Sequence, residues 1–182
     1  MLEGIPDKRQ DKNTTSLKFK QDVIDFFQPL KLKTCLEIGT HRGWSTRILS
    51  ELFDNVITIE NNKNNLNEAI QNNSDKNNIE YLFGDAYNSD WGIETDLDVT
   101  MIDCVHDYSY VKQDIQNSLA YNVKYIIFDD YGLPEDKPCV KAAVDEFIKN
   151  NTVDVTYIGE PAGNEPRIGR RLIDWEGVII KL

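Results

Sequence analysis

Short apolar segments alternate with segments of helical periodicity through most of the chain, and this alternation constrains the fold more than any other feature. Apolar residues between the short segments recur at the three- and four-residue spacing of an amphipathic helix. Strands that alternate with helices form βαβ units and a parallel sheet, and near-continuous apolar strands suit a sheet that is covered on both faces. The predicted parallel strands span residues 34–38, 56–59, 79–83, 98–102 and 125–128.

The two ends of the chain depart from this alternation. Residues 152–158 and 175–182 are predicted as late strands with no helix between them, which indicates an antiparallel hairpin and a total of seven strands. Helix signals begin near residue 14 and run to residue 30, after a polar segment over residues 1–13 that we expect to be a flexible arm. We therefore predict a doubly wound, Rossmann-like α/β fold in a single domain over residues 1–182.

The net charge and the cysteine content exclude several possible functions. Lys and Arg number 20 against 31 Asp and Glu, and the net charge of −11 argues against binding to nucleic acid or to anionic membrane surfaces. Three scattered cysteines form no zinc spacing, and we expect them to be reduced. The N-terminal residues are too polar for a signal peptide, and no apolar run approaches the roughly 20 residues of a membrane span. We expect a cytoplasmic protein.

Each predicted parallel strand carries an acidic residue at or just beyond its end. In an open α/β sheet, ligands bind outside the carboxyl ends of the strands, so these side chains form the candidate site. Acidic residues also cap helices, which explains one or two of these positions but not all of them. The acidic residues are Glu37, Glu60, Asp85, Asp103, Asp129 and Asp130.

The turn after the first strand indicates which ligand the site holds. Gly39 and Gly43 let the backbone approach a ligand closely, but their spacing is not the GxGxxG fingerprint of dinucleotide-binding proteins. Glu37, which precedes the turn, would repel a pyrophosphate and attract an ammonium group. Glu60 can accept hydrogen bonds from ribose hydroxyls, and Asp85 can accept one from an adenine amino group. An ammonium, a ribose and an adenine together describe S-adenosylmethionine.

These motifs resemble those of class I S-adenosylmethionine-dependent methyltransferases. The second half of the chain narrows the resemblance to the group that contains the macrocin and related sugar O-methyltransferases and the cephalosporin-hydroxylase-like proteins. The segments that carry this narrower resemblance are IDCVHDY at 102–108, FDDYG at 128–132 and VDEF at 144–147.

The resemblance implies a seven-stranded sheet of order 3-2-1-4-5-7-6 with a final antiparallel hairpin. It also implies a set of residues that contact the cofactor, and a divalent cation such as Mg²⁺ bound by Asp103, Asp129 and Asp130. The cofactor set is Glu37, Gly39, Thr40, Gly43, Ser45, Glu60, Asp85, Ala86 and Asp103.

Physical chemistry is consistent with the implied metal site. Strands four and five would be neighbours about 4.8 Å apart, so their terminal carboxylates would converge. Like charges that close are unfavourable unless one carboxyl is protonated or a cation lies between them, and a set of oxygen ligands suits Mg²⁺. The alternative is that the three aspartates act separately, as a helix cap, a cofactor contact and a solvated side chain.

We therefore expect an O-methyltransferase that acts on a small hydroxylated molecule such as a sugar. Either Asp103 or His106 could accept the proton of the acceptor hydroxyl, although His106 could instead bond to backbone at the start of a helix. The loop over residues 159–174, with Arg167, Arg170 and Arg171, could gate the acceptor site or could be a mobile loop with solvated charges.

The sequence leaves two other functions open. One is a non-catalytic module that binds S-adenosylmethionine, and the other is a nicotinamide-dependent oxidoreductase, against which Glu37 and the missing GxGxxG argue. The expected partner is a small-molecule acceptor, with homo-oligomer formation as a further possibility.

Overall fold

The centre of the protein is a seven-stranded sheet of strand order β3-β2-β1-β4-β5-β7-β6. The first five strands run parallel to one another, whereas β7 runs antiparallel to both β5 and β6. This confirms the predicted fold class, strand order and final hairpin. The strands are β1 (Thr34–Ile38), β2 (Asn55–Glu60), β3 (Ile79–Phe83), β4 (Val99–Ile102), β5 (Tyr125–Phe128), β6 (Asp154–Ile158) and β7 (Gly177–Lys181).

The computed structural model describes residues 1–11, 13–87, 91–134, 139–166 and 169–182. Helices in these residues connect the parallel strands and cover the two faces of the sheet. The helices are α1 (Leu17–Phe27), α2 (Trp44–Leu52), α3 (Lys63–Asn72), α4 (Tyr108–Ala120) and α5 (Val140–Asn150). In these ranges no helix is long and apolar enough to cross a membrane.

Alternate residues of the central strands enter two separate cores. Leu36 of β1 and Phe128 of β5 belong to the core that α4 and α5 cover. Cys35 and Ile127, their neighbours in sequence, belong to the opposite core together with Phe27 of α1. Because successive side chains of a strand point to opposite faces, only a strand that is apolar at nearly every position can fill both cores.

The N-terminal segment packs more closely than its polar sequence predicts. Ile5 is buried against Ile24 and Ile48, and Lys8 is only 3% exposed. Helix α1 begins at Leu17, three residues later than predicted, because the side chain of Ser16 accepts a hydrogen bond from the backbone N–H of Phe19 and caps the helix. The segment before the helix reaches the carboxyl edge of the sheet, where the acidic residues lie.

Candidate active site

The turn after β1 requires glycine at two positions for different reasons. Gly39 has a φ of +99°, and a Cβ atom there would lie 1.9 Å from the carbonyl oxygen of Asp103. Gly43 has a φ of +76° and begins α2, where a Cβ atom would lie 2.5 Å from Nδ2 of Asn73. Gly39 thus lets β1 and β4 approach at the site, whereas Gly43 lets α2 approach α3.

A cavity of about 230 Å³ opens beside this turn, at the carboxyl ends of β1 to β4. Five of the nine predicted cofactor residues line it: Gly39, Glu60, Asp85, Ala86 and Asp103. The other four, Glu37, Thr40, Gly43 and Ser45, do not line this cavity. The remaining wall residues are Ile38, His41, Ile59, Asn61, Asn65, Gly84, Tyr87, Cys104 and Val105. We call it the first cavity.

Glu37 is fully buried and supports the turn. Its Oε2 accepts hydrogen bonds from the hydroxyls of Thr46, at 2.5 Å, and Thr58, at 2.7 Å. Its Oε1 has no hydrogen-bond partner in the described part of the chain. Burial raises the pKa of Glu37 to about 7 even though the two hydroxyl hydrogen bonds lower it. The carboxyl group therefore joins β1, β2 and α2 rather than contributing to the cavity wall.

Glu60 does line the first cavity, and backbone groups orient it. Its Oε2 accepts the backbone N–H of His41 at 2.8 Å, and its Oε1 accepts the backbone N–H of Asn62 at 2.7 Å. Each carboxylate oxygen can accept a second hydrogen bond, so both remain able to bind a hydroxyl group of a ligand.

A second cavity, of about 190 Å³, shares the residues His41 and Asp103 with the first. Every residue of its wall is polar or charged, and three of them come from the N-terminal segment. The wall consists of Lys8, Asn13, Thr14, His41, Asp103, His106, Asp129 and Asp130. Within the described ranges, Oγ1 of Thr14, Nδ1 of His41 and Oδ1 of Asp129 are buried without a hydrogen-bond partner.

The ammonium group of Lys8 lies among the carboxylates that the sequence assigns to a metal ion. Its Nζ donates to Oδ1 of Asp130 at 2.7 Å and to Oδ2 of Asp129 at 3.3 Å, and it lies 3.5 Å from Oε1 of Glu176. Burial alone would lower the pKa of Lys8, but the charges of these carboxylates raise it well above its ordinary value. Lys8 is therefore a charged ammonium group inside the protein.

This arrangement does not fit the predicted magnesium site. Among the residues that the structure describes, no group of three His, Cys, Asp or Glu side chains is arranged to hold a metal ion. Asp129 and Asp130 do lie together at the end of β5, as the sequence predicts, but each directs an oxygen at Lys8. The ammonium group already supplies one positive charge to these carboxylates.

The two candidate bases, Asp103 and His106, both line the second cavity. Asp103 lines both cavities, and burial together with the charge of Asp130 raises its pKa to about 7. His106 is one-third exposed, and its Nε2 lies 3.4 Å from Oδ2 of Asp130. His106 thus contacts a neighbouring carboxylate in the second cavity.

Sequence reasoning missed Lys8, Thr14 and Glu176. Glu176 is fully buried just before β7 and accepts the backbone N–H of Ser16 at 2.9 Å. Neither Arg170 nor Arg171 of the predicted gating loop lines either cavity, and Arg167 lies outside the described residues. Lys8 is one of three basic residues in the polar segment over residues 1–13, and no local pattern distinguishes it from a solvated lysine.

Comparison with known proteins decides the family. The sequence family described as "Methyltransferase domain" matches residues 36–131, which is more than half of the chain. The chain belongs to this methyltransferase family. The match begins in β1 and ends just after β5, so it spans the carboxyl-edge residues from Glu37 to Asp130. It confirms the class I S-adenosylmethionine-dependent methyltransferase that the sequence motifs indicate, and it decides against the oxidoreductase alternative.

Solved structures share the fold of this methyltransferase at low sequence identity. Cofactor-bound Rv0187 from MTB has a TM-score of 0.69 and 19% identity, over 93% of this chain and 81% of that one. The Podospora anserina methyltransferase PaMTH1, solved with SAH, has a TM-score of 0.69 and 15% identity, over 93% and 80% of the two chains. The Bacillus cereus O-methyltransferase in complex with SAH has a TM-score of 0.64 and 20% identity, over 89% and 77%. No curated protein sequence matches the methyltransferase closely enough to count as a relative.

Proposed function

We propose that this methyltransferase moves the methyl group of S-adenosylmethionine to a hydroxyl oxygen of a small, polyhydroxylated acceptor such as a sugar. The observation that carries the proposal is the pair of cavities that meet at His41 and Asp103. One has the glycine turn and the strand-end carboxylates of a nucleoside site, and the other has an entirely polar wall. A methyl group held at their junction can pass from one ligand to the other.

The first cavity suits the cofactor. Glu60 keeps free acceptor capacity for ribose hydroxyls, and Asp85 with Ala86 lies where an adenine would be recognised at the end of β3. Two structures with the same fold, from Bacillus cereus and Podospora anserina, were solved with SAH bound.

The second cavity suits an acceptor that has several hydroxyl groups. Its wall consists entirely of polar and charged residues, among them Thr14, His41 and Asp129. Hydroxyl groups both donate and accept hydrogen bonds, so a polyol can pair with the donors and the acceptors of this wall. The chain's net charge of −11 makes a nucleic-acid acceptor a poor match.

Asp103 is the residue we assign as the base, because it is a carboxylate that lines both cavities. The acceptor oxygen forms a bond to the methyl carbon while the carbon–sulfur bond breaks, and the hydroxyl proton passes to the carboxylate of Asp103. The products are a methyl ether and S-adenosylhomocysteine. Alignment of oxygen, carbon and sulfur supplies most of the acceleration, since the sulfonium is already activated. His106 orients Asp130 in this scheme.

Calorimetric titration tests the cofactor assignment. We expect S-adenosylmethionine and S-adenosylhomocysteine to bind at one site, and Glu60→Gln to weaken binding about tenfold because it loses a charge-assisted acceptor. Glu80→Gln, on the exposed side of β3, is the matched control and should bind like the wild type. Failure of both ligands to bind would overturn the assignment.

Product analysis tests the acceptor class. The protein should release S-adenosylhomocysteine when it is incubated with S-adenosylmethionine and a panel of sugars and polyols, and mass spectrometry should locate the new methyl group on oxygen. Methylation of amines with inert hydroxyl compounds would contradict an O-methyltransferase.

A further inference from the structure

The most informative feature outside the proposed chemistry is the buried lysine at the carboxylate cluster. Lys8 is 3% exposed, and its ammonium group hydrogen-bonds to both aspartates that follow β5. A third carboxylate, that of Glu176, lies 3.5 Å away. A lysine is rarely buried so completely unless it is paired, and here the pairing groups are carboxylates.

The N-terminal segment is anchored on both sides of Lys8, so the ammonium group does not reach the cluster by chance. Lys20 of α1 donates to the carbonyl oxygens of Pro6 and Thr15. Asp7 accepts the backbone N–H of Leu17 at 3.0 Å, which ties the segment to the start of α1. Further along, Asp11 forms an ion pair with Arg42 of the turn after β1, at 2.9 Å.

The ammonium group uses the oxygens that a divalent cation would need. Mg²⁺ requires oxygen ligands at about 2.0–2.1 Å in near-octahedral geometry. Oδ1 of Asp130 and Oδ2 of Asp129 instead accept hydrogen bonds from Nζ of Lys8. A second cation in contact with the same oxygens would also be repelled by the ammonium charge.

We propose that Lys8 takes the place of a divalent cation in the second cavity, so that this methyltransferase works without a metal ion. The proposal rests on the proposed function. Lys8 is a positioning residue: it supplies a positive charge beside Asp129 and Asp130 and fixes one oxygen of each by a hydrogen bond. Oδ1 of Asp129 is buried and has no partner in the described part of the chain, so the ammonium group uses only one of the two oxygens of that residue.

Binding of Mn²⁺ to the cofactor-free protein tests the proposal without any need for activity. In electron paramagnetic resonance titrations, we expect the wild type to leave Mn²⁺ free. Lys8→Ala empties the ammonium position and should bind Mn²⁺ at least about tenfold more tightly, because three carboxylates then face one another without a cation. Arg9→Ala changes the neighbouring exposed cation and is the matched control, expected to behave like the wild type.

Binding of Mn²⁺ by the wild type at micromolar concentration, displaced by Mg²⁺, would overturn the proposal. Lys8→Gln fills the same space without a charge and shows whether the folded protein tolerates the loss of the cation. If Lys8→Ala does not fold, the wild-type titration still decides the question.

Kinetics supply a second test once an acceptor is known. The wild-type rate should be the same in excess EDTA and in excess Mg²⁺. Lys8→Ala should lose about 100-fold in kcat with little change in the KM for S-adenosylmethionine, since Lys8 lines only the second cavity, and Mg²⁺ should restore part of the loss.

A wild-type enzyme that EDTA inactivates and Mg²⁺ restores would contradict the proposal, as would full activity of Lys8→Ala in EDTA. Titration with S-adenosylhomocysteine distinguishes failure of the proposed function from failure of the role assigned to Lys8. If the wild type fails to bind that ligand but also leaves Mn²⁺ free, the proposed function fails whereas the assignment of Lys8 as the internal cation stands.

Discussion

The carboxyl edge of the sheet has two halves, a first half at the ends of β1 and β2 and a second half at the end of β5. The two halves hold their acidic residues in different ways. At the ends of β1 and β2, the carboxylates bind to groups that lie at most 21 residues away in the chain: Thr46 and Thr58 donate to Glu37, and His41 and Asn62 donate to Glu60. At the end of β5, the carboxylates bind to an ammonium group more than 120 residues away in the chain.

The first half is thus a motif formed by one continuous part of the chain, whereas the second half is formed by segments that are distant in sequence. The first half forms as soon as β1, its turn and β2 pack together, so its residues can be recognised as a short pattern. The second half is complete only when the N-terminal segment docks, because its cation comes from that segment. The same acidic residue type therefore has two roles that only the three-dimensional structure distinguishes.

The largest loss of stability should come from a substitution in the turn after β1, in the first half. Gly39→Ala places a Cβ atom 1.9 Å from the carbonyl oxygen of Asp103 at a φ of +99°, so we expect a loss of about 3 kcal/mol or more in the free energy of unfolding. Binding of S-adenosylhomocysteine should also disappear. Urea denaturation and calorimetry measure the two effects.

Gly84→Ala is the matched control for that variant, because it follows β3 in the same cavity and its Cβ would meet nothing within 4 Å. Its stability should stay within about 0.5 kcal/mol of the wild type. Equal losses for the two glycine variants would mean that the close approach at Gly39 does not shape the turn.

The buried carboxyl group of the first half should make stability depend on pH. Burial raises the pKa of Glu37 from 4.5 to about 7, so the folded chain binds more protons than the unfolded chain between these pH values. Stability should therefore fall as the pH rises through this window. Glu37→Gln abolishes this contribution and should gain up to about 3 kcal/mol relative to the wild type between pH 5 and pH 8.

Urea denaturation of both proteins across that pH range measures the difference. Burial also raises the pKa of Asp114 to about 7, but this group contributes equally to both proteins and cancels. Burial raises the pKa of Asp103 to about 7 as well, and the charge of Glu37 adds to that rise, so the pKa of Asp103 should be lower in Glu37→Gln than in the wild type. A pH-independent difference between wild type and variant would show that Glu37 is ionised throughout.

The second half should be sensitive to the contact that docks the N-terminal segment. Ser16→Ala removes the cap of α1 and the hydroxyl hydrogen bond to Glu176, and it should cost about 1–2 kcal/mol of stability. Ser74→Ala, in an exposed turn, is the control and should cost almost nothing. Hydrogen exchange in residues 1–11 should accelerate only in Ser16→Ala; unchanged exchange would show that the segment docks without this contact.

The smallest effect should come from Asp85, which lies just beyond the end of β3. Asp85 is solvent-exposed and accepts the backbone N–H of Tyr87 at 3.0 Å, so Asp85→Asn keeps an acceptor and loses only a screened charge. We expect about threefold weaker binding of S-adenosylhomocysteine, less than for Glu60→Gln. A larger loss for Asp85→Asn than for Glu60→Gln would reverse our assignment of the two carboxylates.

Sequence reasoning identified the sheet because each central strand is apolar enough to fill two cores. The apolar spacing of residues 63–73 also predicts a helix, which the structure confirms as α3. The asparagine-rich α3 has little helix propensity, yet Asn62 caps its first turn and Nδ2 of Asn73 donates to the carbonyl oxygens of Ala69 and Gly43. Through these hydrogen bonds, asparagines that have low helix propensity stabilise α3.

Only the first half of the candidate site could be predicted together with the groups that hold it. The strand-end rule located the carboxylates of both halves, but it could not say what neutralises them. Three converging aspartates predict a cation, and the structure supplies one as Lys8, from a segment whose polar sequence indicated a flexible arm. Contacts between residues so distant in sequence leave no periodicity or spacing to recognise.

The most direct test of the account is a calorimetric titration of S-adenosylhomocysteine into the wild-type protein in the presence of excess EDTA. The account predicts one binding site per chain with an affinity that does not change when Mg²⁺ replaces EDTA. Absence of binding would contradict the cofactor assignment, and binding that appears only with Mg²⁺ would contradict a cavity whose cation is Lys8.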